Sequence, residues 1–104
     1  MKLLTKELER RIPPLYSQED NEDPIVVAHF FNPCGQGDWY ITEGQREDGD
    51  FLMFGLCVLF EPELGYVSLA ELQSVKCPPF GLGIERDRFW RSQKLSEVKA
   101  RLQI

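Results

Sequence analysis

Long apolar runs are missing from this chain of 104 residues. The longest, Phe51 to Phe60, spans ten positions and includes Gly55. That is about half of the ~20 residues a bilayer-spanning helix needs, which excludes a transmembrane helix. The opening MKLLTKELERR has neither the continuous apolar stretch nor the small-residue cleavage site of a secretory signal. Cysteine is scarce and odd in number: Cys34, Cys57 and Cys77 lie far apart. A secreted disulfide framework normally shows an even count, so a reducing cytoplasm is the expected compartment. Repeats, low-complexity segments and linkers are also absent, and a chain this short holds one domain, 1–104.

What is present is enough for a packed core. The chain is 42% hydrophobic and 28% charged, with a formal net charge of -5. Residues 1–50 carry eleven acids against five bases, and 51–104 six acids against seven bases. Between Glu19 and Asp50 stand nine acids and one base, Arg46; between Arg86 and Arg101 stand six bases and two acids. This layout allows one acidic and one basic surface, and such potentials select partners rather than folds.

Leu4, Leu8 and Ile12 repeat at helical spacing after a possible cap at Thr5, and Pro13-Pro14 ends that helix. A polar loop follows over 16–24. Ile25–Phe31 and Trp39–Glu43 read as strands, the second with Trp39 and Ile41 on one face. Asp48-Gly49 signals a hairpin. Phe51–Phe60 shows no alternation, which predicts a central strand covered on both faces. Residues 61–65, with Pro62 and Gly65, read as a turn, and Tyr66–Ser68 as the returning strand. Ser68 and Glu71 have capping-box spacing, predicting a helix whose inner face is Leu69, Leu72 and Val75. Residues 81–89 suggest an edge strand. Leu95, Val98 and Leu102 predict a last helix, with Ser96 as an acceptable cap. The expected fold is α+β: an antiparallel four- to five-stranded meander with short N-terminal, middle and C-terminal helices packed on it.

Catalytic constellations are weak. His29, Cys34, Cys57 and Cys77 supply four possible zinc ligands, but no pair has chelating spacing. Glu43, Asp48, Asp50, Glu85 and Asp87 are candidates for acid/base work only if they converge. A Cys34–His29 nucleophile pair lacks a third residue to orient the histidine. Gly35-Gln36-Gly37 and Gly81-Leu82-Gly83 lack the strand–turn–helix context of a phosphate loop and read as turns. Arg86, Arg88, Phe89, Trp90 and Arg91 interleave bases with aromatics, which suits phosphates and bases. An edge strand with Trp90 tucked against the core explains the same letters.

Four segments carry a resemblance: LLTKELERRIPPLYSQE (3–19), DWYITEGQREDGDFLMFG (38–55), ELGYVSLAELQSV (63–75) and GLGIERDRFW (81–90). Together and in this order they resemble a bacterial family catalogued as domain of unknown function 2958. The resemblance implies an accessory role on plasmids, phages or integrative elements, and supplies no catalytic motif. The expected function is that of a non-enzymatic protein-binding protein, a counter-defence inhibitor of the anti-CRISPR or anti-restriction type. Its acidic surface would comprise Glu19, Asp20, Glu22, Asp23, Glu43, Glu47, Asp48 and Asp50, and its partner would be a host protein or nucleoprotein complex. The alternatives are nucleic-acid binding through Arg86, Arg88, Trp90 and Arg91, and a small hydrolase. No cofactor, metal, membrane or small-molecule substrate is expected.

Overall fold

A computed structural model describes all 104 residues. In chain order the elements are α1 (Lys6–Arg11), β1 (Ile25–Val26), β2 (Ala28–Phe31), β3 (Asp38–Glu47), β4 (Asp50–Val58) and β5 (Pro62–Ser68). There follow α2 (Leu69–Ser74), β6 (Lys76–Cys77), β7 (Leu82–Gly83), β8 (Glu85–Arg86), β9 (Gln93–Lys94) and α3 (Leu95–Leu102). The main sheet has the order β5-β4-β3-β2-β8, all neighbours antiparallel. Two further ladders, β1–β9 and β6–β7, stand apart from it. This is the expected α+β architecture.

Local signals explain most boundaries. Thr5 accepts the Leu8 N–H at 3.1 Å and caps α1. Ser68 and Glu71 form the capping box that opens α2. Asp48 and Gly49 both take positive φ (50° and 81°), the pair of values a two-residue hairpin requires, and Glu47 pairs directly with Asp50.

The sheet separates two cores. On one side α1 and α2 pack Leu4, Leu8, Ile12 and Leu72 against Phe30, Ile41, Phe51 and Met53. On the other, Leu95 and Val98 of α3 and Val26 of β1 pack against Tyr40 and Leu56. Consecutive buried residues of β3 therefore serve opposite cores, and β3, not β4, is the middle strand of five.

Several expectations are corrected. The Phe51–Phe60 segment alternates: Phe51, Met53 and Gly55 are buried, Leu52 and Phe54 only half so, and Leu59 and Phe60 leave the sheet. Its outer half lacks a covering helix because α3 reaches only as far as Leu56. Residues 62–65 are strand, not turn; Gly65 pairs with Gly55, and the chain bends at 59–61 instead. Ser96 lies inside α3, whose N-cap is Lys94, and Leu102 is exposed rather than packed on the sheet. The stretch 81–89 gives two short strands, β7 and β8, of which β8 forms the sheet edge.

One contact is unforgiving. A Cβ on Gly55 would lie 2.0 Å from the Tyr40 carbonyl oxygen, a backbone atom held by the β3–β4 ladder. Gly55→Ala is expected to destabilise by at least the ~1–3 kcal/mol typical of overpacking, and Leu56→Asp to abolish cooperative folding by burying an unpaired charge. Phe54→Asp, at a half-buried site, is expected to remain folded. Urea denaturation of the three variants checks the ranking.

Candidate functional site

The β3–β4 ladder pairs Ile41 with Gly55 and Glu43 with Phe54, so Thr42 is an extra residue, a β-bulge. Thr42 donates its hydroxyl to the Phe54 carbonyl at 3.2 Å. The bulge brings Glu43 inward, where it is 5% exposed. Its Oε1 accepts the Tyr16 N–H at 2.9 Å and its Oε2 the Gln18 N–H at 2.8 Å. Gln18 in turn donates to the Thr42 and Ile25 carbonyls and accepts the Ile25 N–H. These bonds pin the polar loop 16–24 beside the open half of the sheet.

There the loop meets an exposed apolar strip. Tyr66 (51% exposed) and Leu64 (55%) project from β5, and Tyr16 (62%) from the loop. The half-buried Phe54 tilts against Tyr66, ring centres 4.9 Å apart. The Tyr66 phenol is held above its ordinary value, first by a hydrogen bond with Tyr16, then by partial desolvation and the negative charges of Glu43 and Glu19. Glu19, Asp20 and Glu22 are exposed on the same loop. An aromatic centre with an acidic rim results.

The eight acids expected on one surface do not act together. Glu43 is a buried anchor, and its inclusion in a partner surface is corrected. Asp23 accepts the Ser96 N–H at 2.8 Å and the Ser96 hydroxyl at 2.6 Å, tying the loop to α3. The Ser96 hydrogen bonds are the main reason its carboxyl sits below the usual range. Asp50 accepts the N–H groups of Phe51 (2.7 Å) and Ala70 (3.1 Å) and is lowered chiefly by the first. Glu47 and Asp48 are exposed at the hairpin tip. Glu19, Asp20 and Glu22 remain as the free acidic rim.

The basic stretch is divided too. Trp90 donates its indole N–H to the Val26 carbonyl at 3.0 Å and packs against the second core. The guanidinium of Arg101 lies 5.5 Å over the Trp90 ring. Trp90 is therefore a core-facing residue, as the milder reading of those letters had it, and is not a free stacking platform. Arg86 donates to the carbonyls of Lys2 and Leu3. Arg88, Phe89 and Arg91 are exposed.

No nucleophile pair forms. His29 Nε2 lies 2.7 Å from Asp38 Oδ1 and Nδ1 lies 3.1 Å from Asp87 Oδ2, so both ring nitrogens face carboxylates. The ring stacks on Tyr40 at 4.4 Å and 2°. His29 is thus a tie between β3 and the segment after β8, not a base for Cys34. Cys34 lies against Cys77 instead, and this contact, with desolvation, raises its thiol above the ordinary value, away from thiolate. No three His, Cys, Asp or Glu side chains converge as metal ligands do. The five carboxylates considered for acid/base chemistry serve separate places: Glu43 and Asp50 cap backbone, Asp48 is solvated, Glu85 lies half-buried on the edge strand β8, and Asp87 faces His29. Asp38, absent from every sequence-based set, is the strongest partner His29 has. Its position two pairs along the β2–β3 ladder from His29, on the same face, is a signal visible only once that register is known.

The family model described as protein of unknown function (DUF2958) matches residues 3–101. The chain belongs to that family. The match spans the β2–β3 loop as well as the four segments on which the resemblance rests, and every residue of the acidic and basic surfaces. No curated protein and no solved structure matches the chain. No helix is long and apolar enough to cross a membrane.

Two outcomes test the site. Glu43→Ala leaves two N–H groups without their acceptor and is expected to cost about 1–3 kcal/mol; faster amide exchange at Tyr16 and Gln18 identifies the loop as the part released. Burial, followed by the charge of Asp38, pushes the Tyr40 phenol up to about 12. Tyrosine ionises near pH 10 when unfolded, so the neutral ring stabilises the fold fully below that pH. Stability is expected to fall between about pH 10 and 12 and then level off, and Tyr40→Phe to lessen the fall in urea titrations across that range.

Proposed function

We propose that the protein is a non-enzymatic binding protein whose acidic–aromatic face docks on a basic groove of a nucleic-acid-handling host protein. In its sharpest form this is a counter-defence inhibitor of the anti-CRISPR or anti-restriction type. The observation that supports the reading is the strip of Tyr16, Phe54, Leu64 and Tyr66 left uncovered on the sheet and bordered by Glu19, Asp20 and Glu22. Interfaces favour aromatic centres with polar rims, and a rim of one charge selects a partner of the other. Carboxylates on such a rim compete with phosphate for Lys and Arg. Catalysis has no comparable support, since His29 has both nitrogens occupied and Cys34 has no base.

Replacing Glu19, Asp20 and Glu22 together by Lys is expected to abolish co-purification of the bacterial partner while leaving the fold intact. Asp23 is left untouched because it holds α3. Tyr66→Ala is expected to weaken the complex by at least about tenfold, the size of a modest interface hot spot. Recovery of no nucleic-acid-handling partner, or retention of that partner by the triple variant, would contradict the proposal.

A further inference from the structure

At the opposite edge of the sheet, beyond β2, the structure opens a cleft of about 350 Å³, within the range of small-ligand sites. Its walls come from three segments that the fold brings together. One is the flank of α1 with Thr5 and Arg11 above the buried Leu8; the second is β2 and its approach, with Val27 and His29. The third is the stretch after β8, with Arg86, Arg88 and Trp90.

The cleft gathers positive charge that the chain does not neutralise. Arg11, Arg86 and Arg88 line it, and no carboxylate pairs with any of them; the ion pairs of the chain belong to His29 and Arg46. Two acids border it, Glu7 and Asp87. Asp87 is already engaged, facing His29 Nδ1 and accepting the Phe89 N–H at 3.0 Å. Arg86 is oriented by its bonds to the Lys2 and Leu3 carbonyls, whereas Arg11 and Arg88 are exposed and free to move. Guanidiniums that share one cleft repel one another unless an anion lies between them, and their planar forks match the oxygens of a phosphate. Beside them, the half-buried Val27 and Trp90 offer an apolar wall.

We propose that this cleft binds a phosphate ester of nucleotide size, with Arg11 and Arg88 on the phosphate and the body of the ligand against the accessible edges of the half-buried Val27 and Trp90. The phosphate belongs either to a free nucleotide or to the backbone of a single strand. The site is independent of the protein-docking face, which lies across the sheet on β5.

Calorimetric titration of the full chain at low salt, with adenosine monophosphate, inorganic phosphate, adenosine and a short single-stranded oligonucleotide, tests this. Adenosine monophosphate is expected to bind saturably, phosphate more weakly and adenosine not measurably. Arg11→Gln and Arg88→Gln are each expected to weaken nucleotide binding at least about tenfold. Arg46→Gln, on the hairpin away from the cleft, is expected to leave it unchanged. An oligonucleotide bound more tightly than the mononucleotide, with the same dependence on Arg11 and Arg88, identifies a polynucleotide as the source of the phosphate. One bound no more tightly identifies a free nucleotide. Both arginines are exposed, so thermal melts coincident with the parent are expected. The proposal is overturned if no phosphate-bearing probe binds, or if binding is indifferent to both substitutions.

Discussion

The carboxylate of Glu43 holds together parts of the molecule that hydrophobic burial alone would leave apart. It is buried without a Lys or Arg partner, yet both oxygens are satisfied by backbone N–H groups of Tyr16 and Gln18. The loop it receives, YSQEDNEDP, has almost nothing apolar to bury, so polar bonds must fix its path. From there the consequences run along the chain. Gln18 fixes Ile25 at the start of β1, the Leu95 N–H donates to the Pro24 carbonyl, and Asp23 takes both donors of Ser96. The helix that closes the second core is thereby positioned by a loop that a bulged strand has captured. A carboxylate in this setting is costly to strand and inexpensive to keep, because its acceptors are filled.

What was legible in the amino-acid order was local. A cap three residues before the N–H it accepts, an Asp-Gly pair between apolar runs, and a stripe at helical spacing each depend on a handful of neighbours, and α1, α2 and the β3–β4 hairpin follow from them. Features set by distant segments were not legible. Ile-Thr-Glu-Gly gives no sign that Thr42 is an extra residue, because the bulge is defined by Gly55 and Phe54 on another strand. Glu43 therefore reads as one more acid in an acidic stretch. The same holds for 62–65, where Pro and Gly are turn residues by habit, while here Pro62 occupies an edge strand and Gly65 faces Gly55 across the ladder. Ser96 is a good cap by type, but β1 pairing with β9 draws the helix start back to Lys94 and leaves Ser96 to serve Asp23.

The split of charge along the chain becomes a split across the sheet. Glu19, Asp20 and Glu22 lie with the loop on the β4–β5 side, and Arg11, Arg86 and Arg88 lie at the edge beyond β2, with Glu7 the one unpaired acid beside them. The sheet order is what keeps them apart, because β3 and its two cores stand between. A small domain with both signs on one side would spend its surface charge on internal ion pairs. This one forms a single Arg–carboxylate pair, Arg46 with Glu9; apart from Asp38 and Asp87 on His29 and Arg101 over Trp90, its other charges bond backbone or small polar groups or face solvent. Surface pairs contribute little to stability in any case, so little is lost by leaving them unmade, and potentials of both signs stay available to partners.

Stability and recognition consequently rest on different residues. The groups that hold the fold, Glu43, Gln18, Asp23, Asp50 and the His29 tie, point their polar atoms at backbone or at each other, so their hydrogen-bonding capacity is spent inside the chain. The groups left for contact are Tyr16, Tyr66 and Leu64 on one side, and Arg11 and Arg88 on the other, none of which supports an element through a hydrogen bond or ion pair of its side chain to another segment, apart from the Tyr16–Tyr66 contact. The first set lies on or beside β5, an edge strand open to a docking chain, whereas Trp90 is held by Val26 and Arg101. The docking face is thus exposed at its centre and fixed at its anchor, Glu43, while the cleft is fixed at its wall and exposed at its charges. That difference suits a protein surface on the one and a small, highly charged group on the other.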